Sequence, residues 1–325
     1  MKKRKLYCGI DVSSETLDIC YETSEGDKVH KQVKNDKTGF MIILKQCRGD
    51  YHFIMESTGI YHTSLMFYLH EQNKVYSVIN ALQIKRYIQM HLERNKSDKK
   101  DARRICEYGI DRSPEPTEMP DLAYFECRSL NNAIDDLTKE ITKLTNQIHS
   151  ISRAPFDTQT IIRSYRSLIL KLEKEKKKMD FRLQEKLKEW QPELMELVQT
   201  VKGIGKRAAS ELIIYTRGFK NMTSYRQLIS YAGLSPVEFS SGSSIKGRVK
   251  ICKQGGKKLR HILYMGALNA KVTNRACREL YERLVARGKN KKAAIIAVCN
   301  KLLKQVFGVV KNKRAYEDNY QLNFN

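Results

Sequence analysis

The fold class this sequence predicts is α/β followed by all-α, and three observations predict it. Residues 5–115 hold short β-rich runs that first follow one another and then alternate with helical stretches. Residues 122–190 drop that alternation for a heptad rhythm, and residues 191–325 read as compact and mainly helical. At 325 residues the chain is too long for one ordinary small domain, so two or three units are expected.

Lys5–Val12 and Thr16–Glu22 are β-rich runs, and Ser24-Glu25-Gly26-Asp27 supplies a turn before a third run at Lys28–Lys34. A helical stretch at Thr38–Cys47 follows, then a short strand at Tyr51–Met55, a helix near Tyr61–Gln72 and a strand at Val75–Ile79. Strands that pair first as a meander and then alternate with helices predict a mixed sheet covered by helices.

Leu130, Ile134, Leu137, Ile141, Leu144, Ile148 and Ile151 recur at alternating four- and three-residue steps, the pattern of a coiled coil. Pro155 breaks that helix. Asp157 can cap a second one carrying Ile162, Tyr165, Ile169, Leu172, Met179, Leu183 and Leu187. Two helices joined by a short loop fold back as an antiparallel hairpin. Such a hairpin either buries its own seam or serves as an oligomerisation arm, and the sequence leaves both open.

From Leu197 to Ala209 a helix ends, a Gly203-Ile204-Gly205 turn intervenes, and a new helix starts with Lys206 and Arg207. Glycines let a backbone approach a phosphate, and a helix N-terminus offers it free N–H groups. Lys202, Gly203, Gly205 and Lys206 are therefore candidates for a helix–hairpin–helix grip on nucleic acid. A plain inter-helix turn is the alternative.

Lys and Arg number 60 against 36 Asp and Glu, a net charge of +24, with a pI near 9.6. An excess of that size repels itself unless a polyanion is near, so nucleic acid is the first candidate partner and an anionic membrane surface the second. No apolar run approaches the roughly 20 residues of a spanning helix, and Met1–Lys5 reads as a basic arm leading into a strand, with Asp11 interrupting the apolar stretch after it. The eight cysteines are scattered without C-x-x-C or metal-ligand spacing, which predicts reduced thiols in a cytoplasmic protein.

Four acids carry the first chemical signal. Asp11 ends the first strand and Glu56 a later one, positions exposed at a sheet's carboxyl edge. Asp98 and Asp101, three apart, share one helix face. Gathered on one edge, such hard oxygen ligands suit Mg²⁺ or Mn²⁺ and phosphoryl transfer. Lys96, Lys99, Lys100, Arg103 and Arg104 surround the last pair. Singly, each acid reads as a turn residue or cap, and Ser97 can cap the helix whose dipole Asp98 complements.

The second signal is Ser240-Ser241-Gly242-Ser243-Ser244, after Tyr231–Pro236. It is followed by seven basic residues and no acid: Lys246, Arg248, Lys250, Lys253, Lys257, Lys258 and Arg260. By default this is a phosphate-binding loop. As a nucleophile, a serine needs its proton removed or its oxyanion stabilised, and no His–Asp pair lies nearby in sequence.

Taken together these residues resemble the transposases of the insertion-sequence-110 family. The matches run in order: Gly9–Ser13, Met55–His62, Lys96–Arg103, Gly203-Ile204-Gly205, Tyr231–Pro236, Ser241-Gly242, Gly255–Leu263, and Tyr281–Leu303 with its Arg287-Gly288-Lys289. No piece is diagnostic alone; the ordered set is specific. The resemblance implies an RNase H-like (RuvC-type) metal-binding domain at 1–118, a coiled-coil oligomerisation region at 119–190 and a helical transposase domain at 191–325. It implies Asp11, Glu56, Asp98 and Asp101 as metal-binding catalytic acids and Ser241, or adjacent Ser240, as nucleophile. It also implies homo-oligomers with composite sites, a structured guide RNA pairing with donor and target DNA, and a place at the bacterial nucleoid. Many relatives carry lysine after the Asp-Val-Ser strand end, where this chain has Ser14.

The expected reaction is strand exchange through a phosphoserine link. Two rivals remain: a RuvC-type nuclease using the same acids with water, which gives the serine loop no task, and a non-catalytic nucleic-acid-binding protein.

Overall fold

A computed structural model of the chain describes residues 5–23, 25–57, 59–91, 97–237, 240–241, 245–246 and 250–318. The chain divides into two compact units, Met1–Met119 and Pro120–Asn325.

The first unit runs β1 (Leu6–Val12), β2 (Thr16–Glu22), β3 (Lys28–Lys34), α1 (Lys37–Gln46), β4 (Tyr51–Glu56), α2 (Thr63–Glu71), β5 (Val75–Ile79), α3 (Ala81–Met90) and α4 (Asp98–Arg112). Its five strands lie in the order β3-β2-β1-β4-β5. β1, β2 and β3 pair antiparallel because short turns join them; Ser13 Oγ accepts from Thr16 N at 3.0 Å to close the first. β4 and β5 return through α1 and α2 and pair parallel, as crossover connections require. The expected mixed sheet under helices is present. β4 extends one residue past Met55 because Glu56 is still paired with Ile79. α3 escaped the sequence reading: it buries only Ile84 and Tyr87, too thin a stripe to register as a period.

The two sheet faces bury different partners. Ile10, Leu17, Ile19, Phe53 and Met55 are fully buried on one face, where Tyr21 Oη donates to Gln46 of α1 at 3.0 Å. Tyr7, Cys20, Ile54 and Ile79 face the other way, in a cluster with Ile84 of α3 and Ala102, Ile105 and Cys106 of α4.

The second unit runs α5 (Leu122–Ile151), α6 (Gln159–Trp190), α7 (Pro192–Thr200), α8 (Lys206–Tyr215), α9 (Tyr225–Tyr231), β6 (Pro236–Val237), β7 (Ser240–Ser241), β8 (Ile245–Lys246), β9 (Lys250–Ile251), α10 (Lys257–Thr273), α11 (Arg275–Ala286) and α12 (Lys291–Asn312). α5 and α6 form the expected hairpin across Pro155. Thr158 is the N-cap residue of α6, but it is the preceding Asp157 whose Oδ1 accepts from Gln159 N, at 2.9 Å. Near the hairpin's base Cys127, Ile134, Leu183 and Leu187 join the helical core around Val198, Leu212, Leu263 and Leu302. Farther out, Leu137, Ile141, Leu144 and Ile148 are only half-buried.

α12 alters the reading of apolar runs. It is long and apolar enough, by length and composition, to cross a membrane, which the sequence reading had granted to no segment. Ala294, Val298, Cys299, Leu302, Leu303 and Val306 of this helix are buried in the unit's core. The apolarity is that of a central core helix.

Candidate active site

Asp11 and Glu56 lie at one edge and on one face of the first sheet, and the helix that carries Asp98 and Asp101 packs on that face. Gly9 pairs with Ile54, and Ile10 with Met55, in parallel register, so the next residues, Asp11 and Glu56, emerge side by side at the carboxyl end. Side chains alternate along a strand, so Asp11 shares the face of Gly9, and Glu56 that of Ile54. This is the face α4 covers. A Cβ added to Gly9 would fall 2.1 Å from Cys106 N and 2.5 Å from Ala102 O, whereas Gly109 meets Tyr7 and Ile54. α4 therefore runs back along β1 with its first turn beyond Gly9, towards Asp11. That turn carries Asp98, exposed, and Asp101, 9% exposed. Ser97 caps it, its side chain accepting from Lys100 N.

Proximity stops short of a closed ligand set. Among the described residues, no group of three or more His, Cys, Asp or Glu side chains lies close enough to hold a metal ion.

Two further features of this unit stand out, one opposite Asp11 and one towards the other end of the sheet. Asp18 stands opposite Asp11 in the β1–β2 pair and is 5% exposed. His30 Nε2 donates to its Oδ1 at 2.7 Å and Gln32 Nε2 to its Oδ2 at 2.9 Å. The period-two spacing of Asp18 with Cys20, and of His30 with Gln32, was the available signal. Glu107 of α4 is the second. Burial raises its carboxyl, but Lys28 at 2.7 Å, Arg103 at 3.1 Å and Arg104 outweigh that and hold it at about 2. Lys28 lies on β3, so this cluster ties α4 across the sheet.

The serine segment belongs to the second unit. Instead of a loop in an all-helical region, it forms two short antiparallel pairs. β6 pairs with β9 (Val237 with Lys250), and β7 with β8 (Ser240 with Lys246, Ser241 with Ile245). Gly242, Ser243, Ser244 and Arg248 lie outside the described residues. The stem beneath is tightly built. Gly233 has φ +71°, and an added Cβ would sit 2.4 Å from Gln254 O. Arg260 Nη1 donates to Ala232 O at 3.1 Å and Gly255 O at 3.0 Å. Tyr215 Oη donates to Tyr231 O at 3.1 Å and accepts from Gly256 N at 2.5 Å, and burial raises its pKa, which keeps the phenol a donor.

Residues 8–153 match a family model described as Transposase, the DEDD type of IS110 elements, and residues 195–282 match one described as Transposase IS116/IS110/IS902 family. The pilin gene-inverting proteins of Moraxella bovis and Moraxella lacunata are each 27% identical over 329 residues, spanning 96% of this chain and 98% of their own. A 43.6 kDa protein of insertion element IS110 from Streptomyces coelicolor is 27% identical over 124 residues, 38% of this chain and 30% of its own. The segment with the four acids and the segment with the serines are thus both matched, in order. The chain is an IS110-family transposase.

As such it is a DNA recombinase, and its mixed sheet is consistent with an RNase H-like DEDD domain. The DEDD family suggests dependence on a divalent metal, and the donor chemistry of Asp11, Glu56, Asp98 and Asp101, all hard oxygens, fits such an ion.

The transposase's predicted nucleic-acid contacts separate into two groups. Lys99, Lys100, Lys206, Lys250, Lys253 and Lys257 are exposed; Lys96 lies outside the described residues, and Lys246 is placed in β8. Others have internal tasks. Lys258 Nζ pairs with Glu211 at 2.7 Å and with Asp135, Arg260 clamps the serine stem, Arg103 bonds Glu107, and Lys202 pairs with Asp318. Gly203 has φ +103°, and an added Cβ would lie 2.6 Å from Ala270 Cβ, so packing on α10 explains that glycine. Around Gly205 nothing lies within 4 Å of an added Cβ, which leaves its side open to an outside backbone.

Proposed function

We propose that the transposase exchanges DNA strands by attack of the Ser241 hydroxyl on a scissile phosphodiester, next to a Mg²⁺ or Mn²⁺ ion held by Asp11, Glu56, Asp98 and Asp101. Those four carboxylates would hold the ion, which would supply Lewis-acid stabilisation of charge at the phosphate. Ser241 Oγ forms a new P–O bond as one strand P–O bond breaks, and the serine proton ends on the departing hydroxyl. Rejoining is the reverse: a strand hydroxyl attacks the phosphoserine and serine recovers its proton. No bond energy is lost, so neither step needs a high-energy cofactor.

What supports this reading is the backbone arrangement at one sheet edge: Asp11 and Glu56 follow paired residues of two parallel strands, and the first turn of α4, which carries Asp98 and Asp101, runs towards Asp11. No His–Asp pair lies near the serine in sequence, and an acid-bound metal contributed by a second subunit would help to activate it. An oligomer is supported by α6, where Ile161 and Leu168, seven residues apart and each 44% exposed, form an apolar stripe beside the buried Ile162. We take the substrate to be the element's own ends and their target, with a structured guide RNA pairing to both. The basic excess supports polyanion binding without choosing between DNA and RNA. The relatives' name, gene-inverting, points to inversion as a related outcome.

The test is adduct trapping. Protein, guide RNA and DNA incubated with Mg²⁺ should yield covalent protein–DNA species that Ser241→Ala abolishes and Ser240→Ala retains. Cleaved but unattached DNA from wild type would support the hydrolytic nuclease, in which water is the nucleophile.

A further inference from the structure

A groove of about 990 Å³ in the second unit lies where α5, α6, α7 and the first turn of α8 converge. Ile134 and Met195, both buried, contribute its apolar floor. Phe181 stands in it 64% exposed, an aromatic ring that the fold leaves in water. Lys177, Phe181 and Lys188 fall on one stripe of α6, at helical spacings of four and seven. Lys176, Lys206 and Arg207 complete a basic rim, against which Asp180 and Glu196 are the opposing charges.

We infer that this groove takes an unpaired stretch of nucleic acid, one base stacked on Phe181 and the flanking phosphates on the lysine rim. The inference rests on the nucleic-acid function proposed above. Aromatic faces interleaved with cations are what single strands bind, because every base has a π-face and every linkage a charge. A duplex presents its bases already stacked and cannot offer one to Phe181. A second copy of this chain, itself at +24, is a poor occupant for a rim of five cations. The α8 end adds to the fit. Its N-cap is Gly205, with no side-chain cap hydrogen bond among the described residues, and a Cβ there would meet nothing. Arg207 Nη2 is held by Asp135 at 2.9 Å, which fixes that side chain in the groove wall. Gln184 Nε2 donates to Ser210 Oγ at 3.0 Å, fixing α6 against α8 so that the groove is built before any ligand arrives.

The experiment measures binding of short labelled single-stranded RNA, single-stranded DNA and a duplex of the same sequence to the full-length protein. Wild type should bind the single strands. Phe181→Ala should weaken that binding about tenfold, Phe181→Tyr should keep it within about twofold, and duplex binding should be unchanged by either. Lys177→Gln should lower the salt dependence by about 0.7 in log–log slope, which Phe181→Ala should not. The RNA and DNA arms show which strand the groove prefers. Iodouracil placed in the preferred strand should photocrosslink to the peptide containing Phe181. Wild-type affinity retained in Phe181→Ala, or equal loss for duplex and single strand, overturns the groove while leaving the transposase reading intact. Failure of wild type to bind any of the three overturns both.

Discussion

The edge that carries the acids and the stem that carries the serine hold their proposed functional residues by opposite means. At the edge, position comes from packing: β1 sits between β2 and β4, and Gly9 admits α4 so closely that its backbone replaces a side chain. At the stem, position comes from polar clamps on backbone: Arg260 and Tyr215 bind the carbonyls of Ala232, Gly255 and Tyr231, and Ser241 extends from there on a two-residue strand. Packed sheets resist displacement in every direction, so a group that must keep angstrom geometry for a metal belongs there. A clamped stem fixes only its base. The difference suits the nucleophile role proposed for Ser241, which would have to reach out to a phosphate.

The largest effect that would sharpen this contrast is chemical. Asp11→Asn should cut strand cleavage about a thousandfold with little change in thermal stability, since the residue lies at a strand end rather than in the core. Cleavage within tenfold of wild type would break the assignment of that edge. Next come the two glycines. Gly9→Ala forces a Cβ onto α4 backbone, and should cost about 2–3 kcal/mol by urea unfolding and abolish cleavage. Gly233→Ala, strained by its φ of +71° and by Gln254 O, should cost about 1–2 kcal/mol and reduce adduct formation while Mn²⁺ binding persists. Equal loss of metal binding in both would erase the distinction between the regions.

A pH effect confined to the first unit is smaller. Glu107, held at about 2 against an ordinary 4.5, contributes stability that is full above 4.5 and drains as pH falls towards 2. Between about pH 5 and pH 3 the first unit should lose about 1–2 kcal/mol, and Glu107→Gln should flatten that slope. Smallest is the Lys202–Asp318 pair, whose lysine is 53% exposed. Asp318→Asn should shift stability by less than about 1 kcal/mol.

Much of this architecture was legible in the sequence, because the signals were periodic or local. Three β-runs separated by turns, heptads either side of Pro155, and Asp98–Asp101 at helix spacing all depend on neighbours in the chain. What could not be read depends on distant ones. Lys258 and Arg260 look like two more cations in a basic run until folding sets Glu211 and Asp135, or Ala232 and Gly255, beside them. Gly203 matched a phosphate-approach motif, yet α10 accounts for it. The period-two spacing puts Asp18 on the face of Cys20 but does not name its partners, since His30 and Gln32 arrive only when β3 pairs. The β7–β8 pair was hidden because two-residue strands are too short for alternation to show.

As proposed, Asp11, Glu56, Asp98 and Asp101 act as one cation site despite coming from two strands and a helix. Titration calorimetry of Mn²⁺ into wild type and into Asp11→Asn, Glu56→Gln, Asp98→Asn and Asp101→Asn tests it without needing substrate. A saturable wild-type site that each single change weakens at least about tenfold, with Asp18→Asn leaving it within about threefold, is the predicted result. Wild-type affinity in two or more of those four variants would contradict it.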